Sequence, residues 1–304
     1  MRAGLRLVEP AANSYLRVGS RAAIALLAAS EFCRYGHAAL SDGIDAGTAA
    51  ILGALQGLTE FLPVSSSGHV AIGAHFFGIQ EGSLGLVVLL HLGTLAATIL
   101  LFREDIRTLA AELIASVRQP ARLGTTPEGR TLVAIVIATA ATGAIGLALR
   151  HTAEAFSQDL ALVGYGFLLS AAFLISSAFG RGKSLEVSWA QALVIGIAQG
   201  IAVLPGVSRS GATIAVAMLL GVQPNASFRF SFLVSLPAIV AAALYESLAS
   251  DGFGSLDPSA WVGGLTALVT GYLALVILRH IILVGRMWTF ALYLIPLGLF
   301  LVTR

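Results

Sequence analysis

Apolar residues in this chain form long uninterrupted runs, and the charged residues fall in the gaps between them. Three runs of roughly 18–20 residues have no charged side chain: Gly85–Phe102, Thr131–Leu149 and Leu160–Phe179. About 20 apolar residues in a helix are enough to cross the roughly 30 Å hydrocarbon core of a bilayer. The pattern predicts six membrane-spanning helices, at about 84–102, 131–150, 160–180, 226–246, 259–279 and 287–302.

Two further apolar stretches, 46–79 and 189–221, are interrupted by Gly, Ser and Pro and do not match a uniform helix. The first is broken at Pro63–Gly68 and the second at Pro205–Gly211. Inside a bilayer, backbone groups released by such breaks must find partners within the protein or in a water-filled cavity. The pattern therefore predicts two re-entrant helical hairpins whose tips line a polar cavity.

The two interrupted stretches repeat each other at a fixed distance. A shift of 143 residues aligns Gly53 with Gly196, Gln56 with Gln199, Gly57 with Gly200, Ser65 with Ser208, Ser67 with Ser210 and Gly68 with Gly211. Each hairpin is followed by three predicted spans, which gives repeat halves of about 46–180 and 189–304. Because three is an odd number of crossings, the second half is inverted relative to the first. The sequence predicts an all-α integral membrane protein with about six transmembrane helices and two re-entrant helical hairpins in an inverted-topology repeat.

Loop charges give the predicted spans an orientation. Five arginines lie in the loop after the first span, and short loops rich in Arg and Lys stay in the cytoplasm. The loops at about 151–159 and 247–258 hold acidic residues and almost no Lys or Arg, which places them outside. The first hairpin then enters from outside and the second from the cytoplasm. Repeats of this kind place a polar site near the midplane, where the broken segments meet.

Composition narrows the class of protein further. Only 11% of the 304 residues are charged and the mean hydropathy is +0.88, whereas a soluble domain has about 25% charged residues. These values argue against a soluble globular protein. The single cysteine, Cys33, rules out an intrachain disulfide and a cysteine-based metal cluster. No dense basic patch supports nucleic-acid binding.

The first 45 residues differ from the rest of the chain. Four arginines up to Arg21 precede a short apolar run at 22–29. That order is typical of a signal peptide or a short uncleaved anchor, and it also fits a start site placed too far upstream. These interpretations of residues 1–45 stay open, and the membrane domain is predicted to cover 46–304.

Polar and ionisable residues inside a bilayer are costly, so each of them is a functional hypothesis. The first hairpin supplies Gln56, Glu60, Ser65, Ser66, Ser67 and His69, and the second supplies Gln199, Ser208, Arg209, Ser210 and Thr213. One carboxylate, one imidazole, one guanidinium and a row of hydroxyls form a set suited to a phosphorylated substrate.

Each of these groups has a role that phosphate chemistry needs. The planar guanidinium of Arg209 matches two phosphate oxygens. The Gly-flanked serines let backbone N–H groups approach an anion, and a helix starting after Gly68 or Gly211 would direct its positive end there. His69 can carry a proton near neutral pH, and Ser66 or a water can attack phosphorus. Glu60 can hold a divalent cation that neutralises diphosphate charge.

Structural roles compete with these interpretations. An ion pair between Glu60 and Arg209 would hold the two hairpins together without any chemistry. Gly and Ser would serve close helix packing alone, as small residues do in membranes. The chain has no P-loop, zinc-protease or lipase motif, so those activities have no support.

The two interrupted stretches resemble a known family. Gln56–His69 resembles the (E/Q)xxxE–PxSSxGH signature of the bacterial undecaprenyl-diphosphatases, the bacitracin-resistance proteins. Leu204–Thr213 resembles their PGxSRSxxT signature. The resemblance covers about 46–304 and includes two long motifs in the family order.

This resemblance implies a multi-pass phosphatase of the bacterial cytoplasmic (inner) membrane, with its site facing outward. It implies hydrolysis of undecaprenyl diphosphate to undecaprenyl phosphate, which recycles the carrier lipid for peptidoglycan synthesis, and a requirement for Mg2+ or Ca2+. The catalytic residues expected on this basis are Glu60, Ser66, His69 and Arg209. The expected phosphate-binding residues are Ser65, Ser67, Ser208, Ser210 and Thr213. Glu60 and Gln56 are the metal candidates, and Gln56 stands where the family often has Glu, so it brings no charge.

A polyprenyl-phosphate transporter or flippase is the rival hypothesis, because broken helices in an inverted repeat are typical of transporters. Transport needs an anion clamp but no nucleophile or proton carrier, so release of inorganic phosphate separates the two hypotheses. The nucleophile, the preferred cation, the prenyl chain length and the oligomeric state are left open by the sequence, with a homodimer kept as a hypothesis.

Overall fold

The computed structural model describes residues 45–77, 84–180, 182–249 and 258–304, so the predicted extension at 1–45 lies outside it except for Asp45. The described residues form twelve α-helices and no strand. In chain order, the helices are α1 Ala46–Phe61, α2 Ser66–Phe77, α3 Leu84–Leu101, α4 Arg103–Arg118, α5 Arg122–Thr125, α6 Pro127–Gln158, α7 Leu160–Ser176, α8 Trp189–Ile201, α9 Arg209–Leu219, α10 Pro224–Ala249, α11 Pro258–Leu283 and α12 Ala291–Val302.

The prediction of an all-α membrane protein is confirmed. Within the described residues, the helices Pro127–Gln158, Leu160–Phe179 and Pro258–Leu283 are long and apolar enough to cross a membrane. Large apolar side chains such as Leu292 and Val136 remain exposed on the outer surface of the bundle. A broad exposed apolar surface of this kind is characteristic of protein in contact with lipid.

One predicted loop is helical instead. The outer loop expected at 151–159 is the last part of α6, and Asp159 alone separates α6 from α7. The prediction was wrong because the apolar pattern marks only the part of a helix that lies in hydrocarbon. Beyond that part, exposed His151 and Glu154 form an i,i+3 pair with 3.4 Å between Nδ1 and Oε2, and such pairs support a helix that continues into water.

The Arg-rich loop after α3 also contains helices, α4 and α5. Glu112 of α4 accepts hydrogen bonds from Arg122 and from the hydroxyl of Thr126. Two guanidinium nitrogens of Arg122 and the hydroxyl oxygen of Thr126 lie 2.6–3.0 Å from the carboxylate oxygens of Glu112. Thr126 also caps α6 by accepting from the Gly129 N–H at 3.0 Å. These hydrogen bonds, that of Arg122 first, lower the pKa of Glu112 below its ordinary value. The cluster ties α4 to the first turn of α6.

Each hairpin packs on a helix of the opposite half. α1 lies on α11, with Gly53 so close that an added Cβ would fall 2.2 Å from the Gly263 carbonyl oxygen. α8 lies on α6 in the same way, and a Cβ on Gly196 would fall 2.3 Å from the Ala138 carbonyl oxygen. Close helix approach through glycine is common in membranes. The aligned glycines of the sequence repeat therefore serve the same packing contact in both halves.

Threonine hydroxyls add a polar link at both of these contacts. Thr142 of α6 donates to the Gly196 carbonyl at 3.0 Å, and Thr270 of α11 donates to the Gly53 carbonyl at 3.4 Å. Phe61, the last residue of α1, is buried and joins a cluster of aromatic rings with Phe102, Phe228 and Phe232. This packing fixes the end of α1, where the candidate site begins.

Candidate active site

The tip of the first hairpin is a tight link from Phe61 to Ser66. Ser65 has a φ of 68°, in the left-handed region that few non-glycine residues adopt. Its hydroxyl accepts from the Gly68 N–H at 3.3 Å and lies 3.2 Å from the hydroxyl of Ser67. Ser65 therefore occupies the capping position at the start of α2.

The tip of the second hairpin is built in the same way. Ser208 caps α9 by accepting from the Gly211 N–H at 3.1 Å, and its hydroxyl lies 3.3 Å from that of Ser210. Gly206 supplies the left-handed turn before the cap, with a φ of 89°. The two motifs thus produce two equivalent helix starts, each preceded by a serine cap.

Glycines allow the two tips to come together. A Cβ on Gly68 would fall 3.0 Å from the Gly206 Cα, and one on Gly211 would fall 3.3 Å from the Pro63 Cβ. The hydroxyl of Ser210 donates across this contact to the Phe61 carbonyl oxygen at 3.0 Å. That bond satisfies one of the carbonyls left without an intrahelical partner at the end of α1.

Glu60 lies at the centre of the junction. Its Oε1 accepts from the guanidinium of Arg209 on the other hairpin. Its Oε2 accepts from the Ser66 hydroxyl at 3.0 Å and from the Gln56 side-chain amide at 3.2 Å. The structure therefore brings four of the predicted site residues into one contact, and it contains the Glu60–Arg209 ion pair.

Both charged side chains of this pair are partly withdrawn from the surface but not sealed. The Glu60 side chain is 11% exposed and that of Arg209 is 26% exposed. Among the hydrogen bonds of the described residues, the Arg209 guanidinium makes only the one to Glu60. Further N–H donors of the guanidinium are therefore available to an anion, because Arg carries five of them.

The remaining polar residues of the second motif face the protein interior. Thr213 is fully buried, donates to the Arg209 carbonyl at 2.8 Å, and lies 2.5 Å from the hydroxyl of Ser231. Ser170 of α7 donates to the Gly206 carbonyl at 2.9 Å and accepts from the Ser208 N–H at 2.6 Å. These contacts hold the backbone on both sides of Arg209. Binding of phosphate by Ser65, Ser67, Ser208, Ser210 and Thr213 stays a prediction.

His69 is held apart from the Glu60 carboxylate contacts. Its Nδ1 lies 2.8 Å from the carbonyl oxygen of Ser65, the residue that caps α2, and its Nε2 lies 2.7 Å from the hydroxyl of Tyr293 in α12. Tyr293 did not emerge from the sequence, because a tyrosine in an apolar span is usually an interfacial anchor. No motif marked it.

The donor set limits how a cation is held. No three His, Cys, Asp or Glu side chains form a metal-binding group within 45–77, 84–180, 182–249 and 258–304. Glu60 offers one carboxylate, and Gln56 offers an amide whose oxygen and nitrogen are assigned only from its hydrogen bonds. Mg2+ is often bound through one or two carboxylates together with substrate phosphates and waters. The residues present therefore fit a divalent cation that is shared with a phosphorylated substrate.

Comparison with known proteins places these motifs in a family. The undecaprenyl-diphosphatase of Desulforapulum autotrophicum is 40% identical over 82% of this chain and 94% of its own length. The undecaprenyl-diphosphatase of Treponema denticola is 39% identical over 83% of this chain and 94% of its own length. The undecaprenyl-diphosphatase of Korarchaeum cryptofilum is 35% identical over 83% of this chain and 96% of its own length. A family model described as bacitracin resistance protein BacA matches residues 49–300, and the chain therefore belongs to the bacitracin resistance protein BacA family.

Proposed function

We propose that this chain hydrolyses undecaprenyl diphosphate to undecaprenyl phosphate and inorganic phosphate. The observation that carries the proposal is the junction of the two motifs, where Arg209 and Ser66 both contact Glu60 at the meeting point of two helix starts. The names of the relatives give the substrate, a lipid diphosphate. A guanidinium, a hydroxyl and two helix N-termini at one place suit a phosphate group.

The proposed reaction assigns a task to each group. An oxygen of Ser66 or of a water forms a bond to the terminal phosphorus, and the bond from that phosphorus to the bridging oxygen breaks. His69 takes the proton of the attacking oxygen, and the bridging oxygen leaves with undecaprenyl phosphate. If Ser66 attacks, a water then releases inorganic phosphate from it. Arg209 holds phosphate oxygens in which negative charge increases.

A divalent cation, Mg2+ or Ca2+, is part of the proposal. Glu60 and Gln56 would hold it together with diphosphate oxygens, and the cation would neutralise diphosphate charge. We predict that Glu60→Gln raises the cation concentration needed for half-maximal activity by about 10- to 100-fold, the range typical of damage to a metal site. Titration of activity with Mg2+ and Ca2+ measures this. An unchanged midpoint would remove Glu60 from the cation site.

The proposal extends to location and biological role. We place the protein in the bacterial inner membrane, with the site open to the outer face. The basis is the topology derived from loop charges, in which the first hairpin enters the membrane from outside. There the reaction would recycle the carrier lipid for peptidoglycan synthesis and confer bacitracin resistance.

A second candidate function is a polyprenyl-phosphate transporter. It is favoured by one observation, the two broken hairpins that meet tip to tip with their helix starts capped in the same way. In that case the Glu60–Arg209 pair would be an anion clamp or a lock between hairpins. The activity measured with purified protein separates the two functions.

The deciding experiment measures phosphate release from undecaprenyl diphosphate by the purified chain in detergent, with Mg2+ or with EDTA. We expect cation-dependent release of one phosphate per lipid. His69→Ala should lower turnover by about 10²–10⁴, the usual contribution of general acid–base catalysis, with a much smaller effect on substrate binding. Movement of the lipid across vesicles without phosphate release would favour the transporter and contradict the phosphatase.

A further inference from the structure

His69 makes two hydrogen bonds, one with a residue close to it in sequence and one with a residue far from it. Ser65 lies four residues before it, whereas Tyr293 is 224 residues away, in α12. A backbone carbonyl can only accept, so the bond to Ser65 requires the proton of a neutral imidazole on Nδ1. Nε2 then carries the lone pair, and the Tyr293 hydroxyl donates to it. The surroundings of the ring therefore select one of its two neutral tautomers.

The hydroxyl of Tyr293 suits both charge states of the ring. If Nε2 gains a proton, it becomes a donor, and the same hydroxyl oxygen can accept from it because a phenol is both donor and acceptor. Because Nε2 has a single lone pair, the Tyr293 hydroxyl must move aside while a reacting oxygen gives its proton to Nε2, and it can accept from Nε2–H afterwards. A side chain that could only donate, such as Lys, would lack this property.

Two aromatic rings fix the plane of the imidazole. The Tyr293 ring lies nearly parallel to it, with 5.8 Å between centroids and 16° between planes. The Phe167 ring meets it edge-on at 5.5 Å and 72°. α12 comes near α7 because Gly298 and Gly164 face each other, where an added Cβ on Gly298 would fall 2.9 Å from the Gly164 carbonyl oxygen. Helix packing thus sets the position of the tyrosine.

Tyr293 also lies at the edge of the protein. It is 48% exposed, whereas His69 is only partly exposed. The hydrogen bond to Nε2 therefore comes from a side chain at the surface of the protein, whereas the imidazole itself is more withdrawn. No other described side chain donates to Nε2.

We propose that Tyr293 is a positioning residue for the phosphatase reaction: the Ser65 carbonyl sets the Nδ1–H tautomer of His69, and Tyr293 holds the ring so that Nε2 is the atom that exchanges a proton with the reacting oxygen. This role rests on the proposed function. The proton that Nε2 takes from the attacking oxygen passes on to solvent or to the released phosphate. Tyr293 itself forms no bond to phosphorus.

A double-mutant cycle tests whether Tyr293 acts through His69. Tyr293→Phe keeps the ring and removes the hydroxyl. We expect it to lower kcat about tenfold, less than loss of the acid–base group itself, with KM changed by less than about twofold. In the His69→Ala background the same substitution should have no further effect, because the group it positions is gone. Equal effects in both backgrounds, or full activity of Tyr293→Phe, would overturn the proposal.

Two controls show that the effect of Tyr293→Phe is specific to this tyrosine and does not come from misfolding. Tyr165→Phe, an exposed tyrosine on α7, should leave kcat unchanged, and melting curves should show that Tyr293→Phe is folded. The 15N chemical shifts of the His69 ring report the tautomer without turnover. We expect the Nδ1–H tautomer in both chains, because the Ser65 carbonyl sets it, and a changed Nε2 shift in Tyr293→Phe, where the hydrogen bond to Nε2 is lost. Unchanged shifts would refute the positioning role, whereas absence of phosphate release by the native chain would refute only the proposed function.

Discussion

At the scale of single residues, the site depends on which N–H groups of the Arg209 guanidinium are hydrogen-bonded within the protein and which are left for a substrate. One N–H group is committed to Glu60, and the side chain is a quarter exposed. A guanidinium that served only as a structural partner would gain from pairing with the carboxylate through two of its N–H groups. The observed arrangement is better suited to a group that also binds an anion. Charge alone is then not sufficient at this position.

We predict that Arg209→Lys loses most of the phosphatase activity although it keeps the positive charge. A lysine ammonium is a point charge and cannot present the planar fork of donors to phosphate oxygens. We expect kcat/KM to fall by about 10²-fold, or roughly 2.7 kcal/mol of transition-state stabilisation. The matched control is Arg229→Lys, in an ion pair with Asp105 away from the motifs. Near-normal turnover of Arg209→Lys would remove Arg209 from phosphate binding.

At the scale of helices, the glycines of the repeat determine how closely the hairpins approach their partners. Gly53 of α1 packs against α11, and Gly196 of α8 packs against α6. Neither contact leaves space for a methyl group. Packing this close also brings a threonine hydroxyl to each glycine carbonyl. The hairpins are thus fixed laterally, and their tips can stay together although one link is a strained serine turn.

We predict that Gly53→Ala lowers the thermal midpoint of the purified protein by several degrees. The added methyl would meet the Gly263 carbonyl, and overpacking of this kind costs about 1–3 kcal/mol. Gly124→Ala is the control, because nothing lies within 4 Å of the position its Cβ would take. The two melting curves, recorded in the same detergent, decide the matter. Equal midpoints would show that α1 and α11 can separate freely.

A second prediction at this scale concerns the α4–α6 contact. Hydrogen bonds from Arg122 and Thr126 lower the pKa of Glu112 below its ordinary value of 4.5. A lowered carboxyl pKa stabilises the fold above pH 4.5, and that contribution is lost as the pH falls through the lowered value. The thermal midpoint of Glu112→Gln should therefore lie below that of the native chain at neutral pH, and the gap should close in acid. A gap independent of pH would contradict the assignment.

At the scale of the whole molecule, sequence patterns predicted the fold class and the breaks in the hairpins, because both depend on local composition. An ion pair between Glu60 and Arg209 was expected only as a structural alternative to chemistry, and it could be named because both residues belong to the tips of the predicted hairpins. Tyr293 was not, because its contact with His69 depends on how closely α12 approaches α7. The helical character of 151–158 was missed because polar residues end an apolar pattern without ending a helix.

We predict that the C-terminus lies outside the cytoplasm, on the same side as the opening of the site. Each half of the inverted repeat has an odd number of predicted crossings, and the arginines before α6 place that loop in the cytoplasm. Together these two features give this orientation. An alkaline phosphatase fused after Arg304 should be active, and a fluorescent protein that folds only in the cytoplasm should be dark. The reverse pattern would overturn the orientation and the outward-facing site with it.

The packing of each hairpin on the opposite half has a consequence for biosynthesis. α1 is made roughly 200 residues before α11, and at about 5–20 residues per second the delay is about 10–40 s. The first hairpin lacks its packing partner throughout that time, and it also lacks the guanidinium that pairs with its carboxylate until Arg209 is made, 149 residues after Glu60. The first hairpin therefore enters the membrane before its partners exist, and the candidate site is complete only after the last third of the chain has been inserted.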